Sequence, residues 1–174
     1  MTPILIRLER WDEQLLLALV ARRRPLLDRF MHAVTHLADW PVAVALTLTV
    51  RLAAPPPLHA AGVRMVWTLA LSHLAVEILK RVFTRERPTL PVGLGWLIHA
   101  PDRFSFPSGH ATAALSMALP LALALPGAAG ALFLVVGLMV GVSRCYLGVH
   151  YPGDVLAGWS LSATVLAAGL LLGL

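Results

Sequence analysis

Apolar residues run in long blocks along this chain, and only a few clusters of charge, proline and glycine interrupt them. Residues 4–20 place Ile4, Leu8, Trp11, Leu15 and Leu19 on one helical face and Arg7, Arg10 and Gln14 on another. That is the pattern of an amphipathic helix lying at a membrane interface. Arg22–Arg24 and Pro25 end it, and residues 26–38 carry a second short helical pattern with Asp28, Arg29, His32 and His36 as its polar side. Trp40–Val50 is uncharged but shorter than the roughly 20 residues a crossing needs, so the predicted helix recruits its flanks, 37–54, and stops at Pro55–Pro57. Another helix is predicted over 58–83, apolar across Met65–Val76, with Glu77, Lys80 and Arg81 near its end.

Residues 84–107 hold Pro88, Pro91, Pro101, Pro107, Gly93 and Gly95, which reads as a structured loop. No Asp, Glu, Lys or Arg occurs from Phe104 to Val142. That run is too long for one crossing, and Pro126-Gly127 supplies the turn between spans at 109–125 and 128–145, with Pro120 as a kink position in the first. A last helix is expected over 154–172. Two crossings separate loop 84–107 from segment 145–153, so both fall on the same membrane face, where the 109–125 span also begins.

Composition sharpens this pattern. Across 174 residues, 58% are hydrophobic and 13% charged, against roughly a quarter charged in soluble domains. Mean hydropathy is +0.77. The fold class expected is all-α: one polytopic membrane bundle over residues 1–174, with about four to six transmembrane helices plus N-terminal interfacial helices. The net charge of +5 comes without a basic tail, so the expected partners are lipid and phosphate, with no nucleic acid. A single cysteine, Cys145, excludes an internal disulfide and a multi-cysteine metal site. Arg7, Glu9, Arg10, Asp12 and Glu13 break up the start of the chain, so no cleavable signal peptide is expected and insertion falls to the spans themselves.

The chemistry concentrates in Lys80–Pro88, Pro107–His110 and Ser143–Asp154. Lys80 and Arg87 are expected about two helical turns apart, with Pro88 ending the helix or its extension, and Arg144 adds a third cation at another helix end. Cations near a bilayer are costly, and three around one cavity call for an anion; arginine's planar fork matches phosphate oxygens. Taken singly, each also fits a flanking charge at a helix end. Ser108 is placed as an N-cap, Gly109 lets an oxygen approach the backbone, and the helix start favours phosphate. His110 follows on the first turn, where it can donate a proton. His150 precedes a helix start at Asp154, whose carboxylate can fix the imidazole tautomer; Asp154 can equally serve as a cap. His32 and His36, spaced i, i+4, leave a metal or haem site open as a minor alternative. His73 is expected to be hydrogen-bonded inside the bundle.

These three segments, Lys80-x6-Arg87-Pro88, Pro107-Ser108-Gly109-His110 and Ser143-Arg144-x5-His150-x3-Asp154, resemble the three-part signature of the type 2 phosphatidic acid phosphatase superfamily. The resemblance implies a metal-independent, cofactor-free phosphatase acting on a lipid phosphate or diphosphate. Undecaprenyl diphosphate and phosphatidylglycerophosphate are the foremost substrates it suggests, and a lipid A phosphate is a further one. His150 would attack phosphorus, Asp154 would hold its ring, and His110 would protonate the leaving oxygen. Lys80, Arg87, Ser108, Gly109 and Arg144 would bind the phosphoryl group. The resemblance also implies a bacterial-type plasma membrane with the site on the outer, periplasmic side, whereas counting Arg and Lys would place the motif side inside. The rival class is a transporter or lipid-phosphate-binding protein that uses the same cations without chemistry.

Overall fold

The computed structural model describes residues 3–100 and 102–173, with side chains from Glu9 onward. The side-chain placements expected for Ile4, Arg7 and Leu8, and the loop position of Pro101, lie outside the described residues. Those residues form α1 (Pro3–Val20), α2 (Pro25–Thr35), α3 (Trp40–Ala53), α4 (His59–Phe83), α5 (Gly109–Ala124), α6 (Gly127–Tyr146) and α7 (Pro152–Leu171). No β-strand occurs among the described residues; one isolated bridge, Glu86 to Phe104, closes the loop between α4 and α5.

Local chemistry sets the helix ends. Proline at the first or second position opens α2, α3 and α7, where its missing N–H leaves no bond unmade. α4 stops at Phe83 because Thr84 takes a left-handed conformation (φ 44°) and returns its N–H to the Lys80 carbonyl. This corrects one expectation: Arg87 is not on a continuation of the Lys80 helix but enters from the loop beyond it. α7 likewise begins at Pro152, two residues before the expected start.

α4 with its leading turn (Pro56–Phe83), α6 and α7 are each long and apolar enough to cross a membrane. α2 and α3 together would make a fourth crossing, bent by 58° at the break that holds Asp39. α5 has 16 residues, about 24 Å, short of a hydrocarbon core of about 30 Å. It is the central helix, packed against α4, α6 and α7, so protein rather than lipid covers most of it. The chain is thus a polytopic, all-α membrane bundle.

Within lipid, close approach and polar pairing must do what the hydrophobic effect does in water. A Cβ on Gly137 would lie 2.6 Å from the Ala118 Cβ, and one on Gly158 would lie 2.7 Å from Thr112 Oγ1 and 2.8 Å from the Ser108 carbonyl. α6 and α7 therefore sit directly on α5. A buried hydroxyl rail joins three helices: Ser72 and Ser116 share a 2.8 Å hydrogen bond, Ser116 donates to Ser162 at 3.0 Å, and Ser162 donates to the Thr112 carbonyl at 2.7 Å.

α1 packs against α6 and α7, but not through the whole of the stripe its periodicity suggests. Trp11 and Leu15 are exposed, while Leu16 and Val20 are buried with Ala111, Cys145 and Val155. The inward face therefore reads Asp12, Leu16, Val20, at i, i+4 and i+8. In a membrane an apolar stripe can face lipid, and here Trp11 and Leu15 point away from the protein.

Candidate active site

The three unusual segments meet at one end of the bundle. Lys80 ends α4, Gly109 and His110 open α5, and the turn after α6 carries His150. Their backbones are tied directly: the Ser108 N–H donates to the Asp154 carbonyl at 3.0 Å. Lys80, Arg87, Gly109, His110 and His150 line one cavity of about 400 Å³, together with Asp39, Asp102, Trp40 and His73. Both imidazoles thus open onto the same space. Arg144 lines an adjoining cavity of about 410 Å³ that shares Asp39 and His110 with the first.

Ser108 and Asp154 lie behind the cavity wall. Ser108 is fully buried, its hydroxyl accepting from the Ala111 N–H as an N-cap and its own N–H committed to Asp154. Asp154 sits at the third position of α7 and accepts the Tyr151 N–H at 2.9 Å, as in a capping box.

The contact between Arg87 and His150 defines the imidazole. Arg87 Nη1 lies 3.2 Å from His150 Nε2 and 2.8 Å from the Val149 carbonyl. A guanidinium has no acceptor, so Nε2 must present its lone pair and the neutral ring carries its proton on Nδ1. Nδ1 makes no hydrogen bond and faces Asp154 Oδ2 at 3.5 Å, longer than the bond the sequence suggests. Burial, then the charges of Arg144, Arg87 and Lys80, hold the His150 pKa well below the ordinary histidine value. The ring is therefore an unprotonated nitrogen base aimed at a cationic cavity.

Two carboxylates outside the motifs act on these groups. Asp102 pairs with Lys80 Nζ at 2.5 Å and Arg87 Nη2 at 2.9 Å, while its carbonyl takes Arg87 Nε. Burial works to raise the Asp102 pKa, but Lys80 and Arg87 outweigh it and hold the carboxyl below its usual range. Asp39, delivered by the break between α2 and α3, accepts from His110 Nε2 at 2.9 Å and from His36 Nδ1 at 2.6 Å. Asp39 carried a legible signal: it is the one charged residue from Phe30 to Val50, and a lone carboxylate among apolar residues needs a partner.

Arg144, almost wholly buried, donates to Thr35 at 2.8 Å, and its Nε makes no hydrogen bond. His73 departs from expectation: it stacks on Trp40 with ring centroids 4.9 Å apart, and its Nδ1 is unpaired. His32 and His36 meet edge to face at 4.8 Å. Among the described residues no three His, Cys, Asp or Glu side chains are grouped to hold a metal ion. The arrangement can bind a phosphoryl group through Lys80, Arg87 and the start of α5, attack it with an imidazole nitrogen, and exchange a proton through a second imidazole.

Comparison with known proteins places the chain among membrane phosphatases. The chain is 37% identical over 132 residues to decaprenylphosphoryl-5-phosphoribose phosphatase of Mycolicibacterium smegmatis, covering 73% of this chain and 66% of that protein. It is 32% identical over 163 residues to phosphatidylglycerophosphatase B of Bacillus subtilis, covering 86% and 77%. The chain spans 58–66% of the length of the curated mycobacterial relatives it matches. Its fold resembles the crystal structure of the Bacillus subtilis transmembrane PAP2-type phosphatidylglycerolphosphate phosphatase (TM-score 0.78, 28% identity, 93% of this chain and 84% of that one). It also resembles Aquifex aeolicus LpxE (TM-score 0.78, 25% identity, 90% and 93%). The family model described as the PAP2 superfamily matches residues 61–172, which hold all three motifs, and the chain belongs to that superfamily.

Proposed function

We propose that this chain is an integral membrane phosphatase that hydrolyses a lipid phosphate or diphosphate through a phosphohistidine at His150. The observation that carries the reading is the 3.2 Å contact from Arg87 to His150 Nε2, which requires the lone pair to be on that nitrogen, beside an arginine that lines the same cavity as Lys80 and His150. Nε2 attacks phosphorus while the bond to the leaving oxygen breaks, and His110, once it has taken up a proton beside Asp39, gives that oxygen the proton. Water then gives a proton to His110, attacks phosphorus and breaks the P–N bond, releasing inorganic phosphate and restoring both rings. Lys80, Arg87 and Arg144 stabilise the charge on the equatorial oxygens, with the Gly109 N–H beside them. Ser108 contributes by fixing the start of α5. No step in this scheme calls for a metal.

A lipid substrate is favoured by a third cavity of about 400 Å³ whose lining is almost entirely apolar. Leu37 and Ala114 line it, next in sequence to Ala38 and Ala113 of the phosphate cavity. We take this apolar cavity as the seat of the lipid chain. Undecaprenyl diphosphate and phosphatidylglycerophosphate head the candidates, in a plasma membrane with the site on the outer side.

The test is release of inorganic phosphate from diphosphate, monophosphate and glycerophosphate lipids by the purified protein in EDTA. His150→Ala is expected to abolish release and His110→Ala nearly so. Binding of the lipid without turnover would identify a carrier instead, and substantial activity in His150→Ala would remove the nucleophile.

A further inference from the structure

Arg85, two residues before the motif arginine, points away from the phosphate cavity. Its Nη1 donates to Asp154 Oδ1 at 2.8 Å and its Nη2 to Asp12 Oδ2 at 2.7 Å, and the guanidinium lies 4.1 Å above the Tyr151 ring. Asp12 then closes the loop by accepting the Gly153 N–H at 2.6 Å. One planar fork thus bridges two carboxylates, one on α1 and one on α7. We infer that Arg85 is a positioning residue for the reaction proposed above, and that Asp12 makes α1 a working part of the active site by holding Arg85 against Asp154.

Charge and distance carry the inference. The Asp154 side chain is completely buried, and a buried carboxylate must be paired. The Tyr151 N–H fixes one oxygen, and Arg85 fixes the other and supplies the opposing charge. Asp154 is the carboxylate that faces His150 Nδ1, at 3.5 Å. When phosphorus bonds to Nε2 the ring becomes positively charged, and the Nδ1–H must then find that carboxylate in place. Without Arg85, Asp154 is left with no opposing charge, and it takes a proton or swings away. Lysine keeps the charge but lacks the planar fork that seats the two carboxylates in fixed positions. Asp12, Leu16 and Val20 share the inward face of α1, so the seating of that helix and the geometry of the carboxylate are one arrangement. α1 lies outside the 61–172 segment that the family model matches.

The inference rests on the phosphatase reading, so wild-type release of phosphate is measured first, on the full chain in detergent. Arg85→Gln, Arg85→Lys and Asp12→Asn follow, each checked for a cooperative thermal transition. Removing a partner of this kind typically costs about 10- to 100-fold. Arg85→Gln is therefore expected to lose that much in kcat while KM, set by Lys80, Arg87 and Arg144, stays within about threefold. Arg85→Lys recovers part of the loss, and Asp12→Asn, which frees one side of the fork, loses about 3- to 10-fold in kcat. An Arg85→Gln protein that folds and keeps wild-type kcat, or that raises KM alone, overturns the inference. If Arg85→Gln fails to fold, Asp12→Asn with unchanged kcat overturns it. A folded wild type that releases no phosphate overturns the phosphatase reading and takes this inference with it.

Discussion

Arg87 donates toward His150 Nε2 across 3.2 Å, and that contact fixes which nitrogen of the ring carries the lone pair. The same arginine holds the Val149 carbonyl and Asp102, so in the proposed reaction the cation that receives the phosphate also sets the tautomer of the nucleophile. Arg87→Lys keeps the charge but loses the fork. Its kcat/KM is expected to fall by about 10²- to 10³-fold, the range for losing one transition-state donor. Steady-state kinetics showing a loss below tenfold would mean the charge alone suffices.

His150 is buried among cations, and its pKa is held well below the ordinary value. The unprotonated form therefore persists as pH falls through 6.5, and the acidic limb of kcat/KM, which reports the free enzyme, is expected well below the usual histidine range. Stability follows the same sign. A depressed folded pKa gives a contribution that is complete above the unfolded value and is lost as pH drops toward the folded one. A pH–rate profile whose acidic limb falls near 6.5 would contradict this.

Asp102 occupies Lys80 and Arg87 together, which a phosphoryl group must also do. The apparent affinity for phosphate is lowered by the fraction of molecules in which those cations are free. Asp102→Asn should therefore lower the inhibition constant of inorganic phosphate by about 3- to 10-fold. An unchanged or higher constant would assign Asp102 to holding the cations in place.

Asp39 bonds His110 Nε2 at 2.9 Å and, from outside the three motif segments, orients the proton donor of the proposed reaction. Asp39→Asn is expected to reduce kcat by about 10- to 100-fold with little change in KM. Equal loss in Asp39→Asn and wild-type-like kcat in His36→Ala would separate the His110 bond from the His36 bond to the same carboxylate.

Gly158 lets α7 touch α5 behind the Ser108 cap. A methyl there meets the Ser108 carbonyl and Thr112 Oγ1 at under 3 Å, so Gly158→Ala is expected to destabilise by about 1–3 kcal/mol and to lower activity by displacing the start of α5. Thermal unfolding and phosphate release on the same sample check both.

The sequence made the three motif segments, the apolar helices and the loop legible, because spacing, proline and charge are local signals. What it concealed was supplied by tertiary docking. Asp154 is visible four residues after His150, but its guanidinium partner lies 69 residues earlier. Asp12 sits in an amphipathic pattern whose inward face could not be chosen, since both lipid and protein accept Trp11, Leu15 and Leu16. The expected helical position of Arg87 failed on one residue, Thr84, whose left-handed backbone no composition rule demands. His73 was expected to find a polar partner and instead stacks on Trp40, a pairing between residues 33 positions apart in sequence.

Ser72, Ser116 and Ser162 join three helices that each carry part of the chemistry: α4 brings Lys80, α5 brings His110, and α7 brings Asp154. Lipid offers packed rods no preferred height relative to one another, and an axial slip of one residue, about 1.5 Å, would ruin the attack geometry. Each hydroxyl finds its neighbour only at one elevation. The rail therefore acts as a depth stop: fully buried hydroxyls in the body of the bundle hold Lys80, His110 and Asp154 level with one another.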